Sequence, residues 1–209
     1  ALGPNNYFTL DKLLSDAGLE KPTMAQTASL VYDAWQTLTE KYSKQIIEVL
    51  KNNWFWTFNG IKYVPKEKEN NGNLICEVYI QDRPIIGNNQ VVMDDADLKA
   101  KLANGDKSVR YVAPDFKAGE VEYKSIAKNP FVIALAGEEG AEKLQKVAEK
   151  YTDKPKIWIP DFRNSKESIV RVAALDSGYV DDRLGLSGGC LGGGRSGCAF
   201  GVRAPVGAG

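Results

Sequence analysis

The residues that come closest to a catalytic motif lie near the C-terminus, where Gly185-Leu-Ser-Gly-Gly189 matches the nucleophile-elbow pattern with Ser187 at its centre. A serine nucleophile needs a neighbouring base, and the chain contains no histidine to take its proton. The motif therefore predicts a glycine-rich turn rather than a hydrolase site. We expect no catalytic residue in this chain.

A second motif, Gly189 to Ser196, has the spacing of a phosphate-binding loop, except that Arg195 stands in place of the lysine. Such a loop holds its phosphate at the N-terminus of a following helix. The 13 residues after Ser196 are rich in glycine, alanine and proline and do not predict a helix. Nucleotide binding is not expected.

Metal and disulfide chemistry are poorly supported as well. Asp181 and Asp182 are adjacent, but calcium takes about six to eight oxygen ligands and no series of further ligands surrounds them. Cys76, Cys190 and Cys198 are an odd, widely spread set, unlike a zinc site or a disulfide framework. A disulfide between Cys190 and Cys198 stays open, and we expect no metal and no cofactor.

Composition excludes further classes of function. Lysine plus arginine and aspartate plus glutamate both number 27, so the formal net charge of zero provides no cationic field for nucleic acid. No apolar stretch approaches the roughly 20 residues of a membrane helix, and Ala1 to Leu10 lacks the pattern of a signal peptide. We expect no nucleic-acid partner and no membrane span.

Hydrophobic periodicity predicts the elements that must position any site. Apolar residues from Thr23 to Asn52 recur at three- and four-residue steps and predict one long helix, with Thr23 and Gln26 spaced as a capping box. Asn59-Gly60 is a type I′ turn signal and predicts a hairpin. Helices are also predicted after Asp94, ending at Gly105, and over 138–151. Strands are predicted at 74–80, 109–112, 120–123, 131–135, 156–159, 168–174 and 198–203, with loops at 65–73 and 84–90.

These elements alternate irregularly, without a βαβ rhythm, and predict an α+β fold on a mostly antiparallel sheet with two or three helices. We expect residues 1–209 to form one domain, with 1–22 as an N-terminal extension. Alternation along strands places most aromatic side chains in the core, namely Trp54, Trp56, Tyr63, Trp158 and Phe162. After Leu175 the chain is glycine-rich and predicts an irregular loop that ends in a strand near Cys198 to Arg203.

The C-terminal segment lacks five common residue types. From Ala173 to Gly209, 37 residues contain no Lys, Glu, Gln, Met or Trp, although these five types fill 45 of the first 172 positions. Glycine-rich loops lose bulky residues, but soluble loops usually keep Lys, Glu and Gln. Loop composition therefore explains only part of the deficit.

The five missing types are the ones that cannot arise when an adenine-adenine-pyrimidine codon has its first two bases randomised. This pattern is characteristic of diversity-generating retroelements, which scramble asparagine codons in the C-terminal segment of a target gene. Arg171-Val-Ala-Ala174 precedes the segment, and Phe200-Gly201-Val202-Arg203 resembles, with a transposed glycine and an added valine, its closing Gly-Phe-Arg-like strand. The chain thus resembles the variable proteins of such retroelements, and residues 1–170 look most like their archaeal, nanoarchaeal members.

The resemblance implies a C-type-lectin fold and a ligand-binding function for residues 173–204. Lectins of that fold usually bind sugar through calcium with Glu-Pro-Asn or Gln-Pro-Asp, and neither tripeptide occurs here. The partner implied is an unknown protein or cell-surface ligand, at the cell surface, secreted or on a virion. Two alternatives stay open: an enzyme on the same scaffold that uses Cys190 and Cys198, and a structural surface protein.

Near-strict alternation from Leu184 to Gly194 separates scaffold from displayed positions. The expected scaffold positions are Leu184, Leu186, Gly188, Cys190, Gly192, Gly194 and Gly197. The expected variable, ligand-binding positions are Asp176, Ser177, Tyr179, Val180, Asp181, Asp182, Gly185, Ser187, Gly189, Leu191, Gly193 and Ser196.

Overall fold

The computed structural model describes residues 1–66, 76–113, 116–161, 167–177, 181–194 and 196–203 of the chain. Its α-helices are α1 (Tyr7–Asp16), α2 (Met24–Gln36), α3 (Lys41–Asn52), α4 (Asp95–Ala103) and α5 (Pro130–Ala148), and a 3-10 helix spans Tyr123–Lys128. Its strands are β1 (Leu2–Asn5), β2 (Trp54–Pro65), β3 (Cys76–Asp82), β4 (Ile85–Gly87), β5 (Gln90–Val92), β6 (Val109–Val112), β7 (Gly119–Glu120), β8 (Lys156–Trp158), β9 (Ile169–Asp176), β10 (Gly185–Cys190) and β11 (Gly197–Ala199). None of the described helices combines the length and the apolar character needed to cross a membrane.

Strand β2 is the centre of the main sheet. The strands follow the order β1-β11-β2-β9-β10-β8-β7, and β3 joins β2 to β6 beside this path. Most neighbours are antiparallel, whereas β11 runs parallel to β2 and β10 runs parallel to β8. The mostly antiparallel α+β architecture expected from the sequence is present, with more helices than the two or three expected.

Each face of the sheet carries its own hydrophobic layer. On one face, Phe55, Leu175 and Leu186 pack with buried side chains of α2, α3 and α5. On the other face, Trp56 and Ala174 pack with side chains of α1. Because side chains alternate along a strand, neighbouring residues of β2, β9 and β10 enter different layers.

The predicted long helix from Thr23 to Asn52 is in fact two helices. The capping box at its start is present, with the Thr23 hydroxyl accepting from the Gln26 N–H and the Gln26 side chain accepting from the Thr23 N–H. Helix α2 ends at Gln36, where the Thr37 hydroxyl hydrogen-bonds the carbonyl oxygen of Asp33 and lies 2.7 Å from the Ser43 hydroxyl. The break lets α3 turn back onto the sheet while the apolar stripe continues on both helices.

The predicted hairpin at Asn59-Gly60 is wrong, because β2 continues through both residues. Pairing with β9 shifts its register between Thr57 and Gly60, so Asn59 lies in a bulge. There its buried amide accepts from the Met24 N–H at 2.7 Å and donates to the Asp82 carboxylate at 2.6 Å. The local turn preference of Asn59-Gly60 is outweighed by the hydrogen bonds that β2 makes with β3 and β9 on its two sides. A hairpin is formed instead by β4 and β5, which overlaps the loop predicted at 84–90 and extends to Val92, and it turns at Asn88-Asn89 with positive φ.

The predicted strand at 131–135 is wrong as well, since Pro130 begins α5. The Asn129 side chain accepts from the Phe131 N–H, and proline is favoured in the first turn of a helix. Gly137 has a φ of 73° and kinks α5 at the point where the helical prediction began. The short apolar run had no periodicity to separate a buried helix from a strand.

The glycine-rich C-terminal segment, predicted as an irregular loop, contains two strands. β10 lies between β9 and β8, and β11 lies between β1 and β2. The final strand is therefore inside the sheet, as expected, but it ends at Ala199 rather than near Arg203. Residues of the expected N-terminal extension form β1 and α1, and β1 pairs antiparallel with β11.

We predict that removing residues 198–209 abolishes cooperative unfolding, because β1 and β2 would each lose hydrogen bonds and the Cys198 and Ala199 side chains would leave both cores. Thermal unfolding followed by circular dichroism measures this. A matched truncation of 204–209 keeps β11 in place. An unchanged melting transition after the longer truncation would show that β11 is not needed for folding.

Candidate ligand-binding surface

Residues 173–209, hereafter the tail, begin within β9 and leave the sheet at Ser177. The Ser177 N–H and hydroxyl both donate to the carbonyl oxygen of Leu50, at 3.2 and 3.1 Å. Ser177 is only 3% exposed, so it joins the tail to the end of α3 and is not displayed. Beside it, burial raises the pKa of Tyr151 to about 12.

A second attachment lies at Asp182 and Arg183, just before β10. The Asp182 carboxylate accepts from the Thr152 N–H at 3.1 Å and its hydroxyl at 3.0 Å, and the Asp182 carbonyl accepts from the Asp153 N–H. Arg183 pairs with Glu120 at 2.6 Å and with Asp181 at 3.2 Å, and its hydrogen bond holds the pKa of Glu120 below its usual range. Asp182 is exposed as expected, but it also fastens the tail to residues 152–153.

Between β10 and β11 the tail crosses the start of α1. The Tyr7 N–H donates to the Gly192 carbonyl oxygen at 3.0 Å, and Gly192, with a φ of 82°, lies against Tyr7 and Phe8. The backbone is thus fixed at Gly192 while the residues on either side face outward. Leu191 is 71% exposed, and Gly193, Gly194 and Ser196 are exposed too.

The expectation that Gly185 and Ser187 face solvent is wrong. Ser187 is 5% exposed, and its hydroxyl lies 3.1 Å from the Cys190 sulfur. Gly185 is buried, and a Cβ atom there would lie 2.6 Å from an Asp176 carboxylate oxygen. Alternation predicts an exposed face only where one side of a strand is open, and β10 has both faces covered. Asp176 and Gly189 are half-buried.

The predicted burial of the scaffold positions agrees better with the structure. As expected, Leu184, Leu186, Gly188, Cys190, Gly192 and Gly197 are buried, whereas Gly194 is exposed. Gly188 shows the reason most directly, because a Cβ atom there would lie 2.6 Å from the Phe131 ring and 2.7 Å from the Tyr63 hydroxyl. That hydroxyl donates to the Gly188 carbonyl oxygen at 2.9 Å, and burial raises the pKa of Tyr63. Tyr179 and Val180 lie outside the described residues.

The cysteines do not form a pair. Cys190 belongs to the layer that α1 covers and Cys198 to the layer on the opposite face, so the sheet separates the two thiols. Cys76, Cys190 and Cys198 are all buried, and none of them forms a disulfide. Burial raises the pKa of the Cys76 thiol to about 11 and also raises the pKa of Cys198.

Strand β8 contributes Trp158, which the sequence predicts to be in the core, to this surface together with Lys156. Its register places Lys156 beside Gly185 and Trp158 beside Ser187. Trp158 is 49% exposed, and the Lys156 ammonium lies 3.6 Å from the centre of its ring. The parallel pairing of β8 with β10 is long-range, so no local pattern could have revealed it. Of the other aromatic residues expected in the core, Trp56 and Tyr63 are buried, Trp54 is half-buried and Phe162 is outside the described residues.

The exposed groups of this surface are both polar and apolar. In the part of the chain that the structure describes, no three Cys, Asp or Glu side chains gather as a metal site would require. Its exposed groups are the carboxylates of Asp181 and Asp182, the side chains of Leu191 and Ser196, and the Trp158 ring. Such an arrangement can bind a ligand by contact and hydrogen bonding.

Comparison with known proteins identifies the fold. No protein-family model matches the chain, and no curated protein matches it in sequence. A solved structure described as the accommodation of massive sequence variation in Nanoarchaeota by the C-type lectin fold is similar to it, with a TM-score of 0.63. The similarity covers 96% of this chain and 95% of that chain, at 18% sequence identity. The chain therefore has a C-type lectin fold.

Two serines of the tail provide a test of the fixed and displayed positions. We expect Ser177→Ala to lower the free energy of unfolding by about 1 kcal/mol, because it removes a buried hydrogen bond to Leu50. The same change at exposed Ser196 should stay within about 0.5 kcal/mol. Urea denaturation measures both values, and equal effects would contradict the proposed anchoring by Ser177.

Proposed function

We propose that this C-type lectin fold displays a retroelement-diversified ligand-binding surface, and that exposed side chains of the tail bind a macromolecular target. The observation that carries the proposal is the complete absence of Lys, Glu, Gln, Met and Trp from residues 173–209. Those are the five types that randomised asparagine codons cannot encode.

The position of the tail supports this interpretation. Lys, Glu and Gln are common on exposed turns, because their long polar side chains stay solvated there. The exposed turns of the tail instead carry Asp181, Asp182, Leu191, Gly193 and Ser196. Burial would explain missing Lys and Glu inside β10, but it does not explain their absence from these turns.

The scaffold can tolerate variation because the tail is held mainly by its backbone. Main-chain hydrogen bonds join Ser177 to Leu50, Asp182 to Asp153 and Gly192 to Tyr7. Bonds of this kind survive a change of side chain at the exposed positions between them. The similar solved structure is described as accommodating massive sequence variation on the same fold, and we extend that property to this chain.

Side-chain exposure supports a shorter set of proposed variable positions. We propose that Asp181, Leu191, Gly193 and Ser196 are the displayed positions among the described residues, and that Tyr179 and Val180 join them. Tyr, Gly and Ser, which occupy positions 179, 193 and 196, are typical of binding loops. Buried Ser177, Gly185 and Ser187 are assigned to the scaffold, while Asp182 combines exposure with an anchoring role.

The alternative of an enzyme using Cys190 and Cys198 loses its physical basis. The sheet separates the two thiols, and the raised pKa of Cys198 reduces the thiolate that would act as nucleophile. A structural surface protein differs from a display protein in one testable respect, since its tail should not vary.

Sequencing this gene in several isolates tests the diversification directly. We expect clustered changes at the codons of the displayed positions and none at Ser177, Gly188 or Gly197. A reverse-transcriptase gene should lie nearby, together with a near-copy of the segment that carries asparagine codons at the variable sites. An invariant tail in all isolates would contradict the proposal.

Paired substitutions test tolerance in the protein itself. Leu191→Tyr should change the free energy of unfolding by within about 0.5 kcal/mol, because residue 191 is exposed. Ser187→Tyr should cost about 1–3 kcal/mol, because the larger side chain would overpack a buried position. Urea denaturation compares the two. A costly Leu191→Tyr would show that this turn is structural.

A further inference from the structure

Residues 182–189 of the tail run alongside one neighbouring segment, residues 152–160. The Asp153 N–H donates to the Asp182 carbonyl oxygen and the Lys156 N–H to the Leu184 carbonyl oxygen, both at 2.9 Å. Residues 185–187 then pair with 156–158, and a Cβ atom on Gly189 would lie 3.3 Å from the Pro160 nitrogen. Exposed side chains of 152–160 therefore border the tail.

Trp158 is the largest of those side chains. Its neighbour Ile157 is 1% exposed and packs in the core, so strand alternation turns Trp158 outward. Trp158 remains 49% exposed in a chain whose Trp56 is 1% exposed. Tryptophan is enriched among the residues that dominate binding energy, because it buries a large apolar area with few rotatable bonds.

Lys156 packs its ammonium group against the Trp158 ring, which orients the ring and places a positive charge beside it. Its ammonium lies 3.6 Å from the ring centre, which is a cation–π contact. Glu120 lies opposite Lys156 in the register of β7 and β8 and feels its charge, but the Glu120 carboxylate pairs with Arg183 rather than with that ammonium. The pair therefore presents an apolar ring beside a cation that is available to an incoming carboxylate.

Trp158 and Lys156 are also of types that the tail lacks. Both lie before Ala173, where the depletion begins, and neither Trp nor Lys can arise from a randomised asparagine codon. A binding surface made only of tail residues would hold no Trp and no Lys. The pairing of β8 with β10 places one of each beside the tail in every variant.

We infer that Trp158, positioned by Lys156, is a constant anchor of the ligand surface, and that the target is a protein surface offering an apolar side chain next to a carboxylate. The inference rests on the proposed function of the tail. Trp158 supplies affinity common to all tail sequences, whereas the displayed positions supply specificity. A sugar fits less well, since the Lys156 ammonium already covers one face of the ring.

The test uses a library of the full chain in which the codons of residues 181, 191, 193 and 196 have two random bases and a final pyrimidine. The library is selected for binding to ovalbumin, an acidic protein, and Trp158→Ala is then introduced into each selected clone. We expect dissociation constants to rise about tenfold or more whatever the tail sequence. Lys156→Met should also weaken binding, because it keeps the aliphatic stem and removes the charge.

Tyr42→Ala is the matched control, since Tyr42 is a 73% exposed aromatic residue on α3 and should leave binding unchanged. The melting temperatures of all variants should stay within about 2 °C of the wild-type value. If Trp158→Ala lowers the melting temperature by more than that, Trp158→Thr, which keeps strand propensity, replaces it.

The outcomes separate the two proposals. Clones that bind ovalbumin and keep their affinity after Trp158→Ala would overturn the anchor and leave the proposed function standing. A library without any binders would contradict the proposed function, and the anchor with it. Binding of the wild-type chain to an immobilised glycan panel, lost on Trp158→Ala, would overturn the assignment to a protein surface.

Discussion

The hydrogen bonding of β11 between β1 and β2 is the interaction on which the rest of this surface depends. It returns the tail to the middle of the sheet, more than 130 residues after β2 ends in sequence. Closing so long a loop costs conformational entropy, which burial of Cys198 and Ala199 in two different cores helps to offset. The tail is held in the sheet at β9, β10 and β11, and the proposed function requires the turns between these strands to carry different side chains without a change of fold.

Small residues mark the places where the tail cannot change. Gly188 touches Phe131 and Tyr63, and a Cβ atom on Gly197 would lie 2.5 Å from the Trp54 carbonyl oxygen. These glycines are required by close packing, whereas a Cβ atom on Gly193 would make an ordinary contact with Phe8 at 3.8 Å and one on Gly194 would meet no atom within 4 Å. The same residue type is therefore structural at some positions of the tail and replaceable at others. Burial and the space for a Cβ atom distinguish the two cases.

In the proposed function, the surface combines side chains from two segments, one variable and one constant. The tail offers Asp181, Leu191 and Ser196 on turns fixed by main-chain hydrogen bonds, and β8 offers Trp158 and Lys156 from a segment with ordinary composition. Large aromatic rings supply contact area that small tail residues lack. If the Trp158 ring stays constant beside variable turns, chains whose tails contribute little affinity would still bind the target measurably.

By itself the sequence determined the α+β class, the capped starts at Thr23 and Asp94, the C-terminal boundary of unusual composition and the burial of Leu184, Leu186 and Gly188. These features follow from local periodicity, capping chemistry and codon statistics, which depend only on residues close together in the sequence. Only the tertiary structure decided that Asn59-Gly60 lies in a bulge, that Ser187 is buried, that Cys190 and Cys198 face opposite sides of the sheet, and that Trp158 is exposed beside the tail. Each of these depends on which distant strand or helix lies alongside, and that pairing is set by the packing of the whole chain rather than by neighbouring residues.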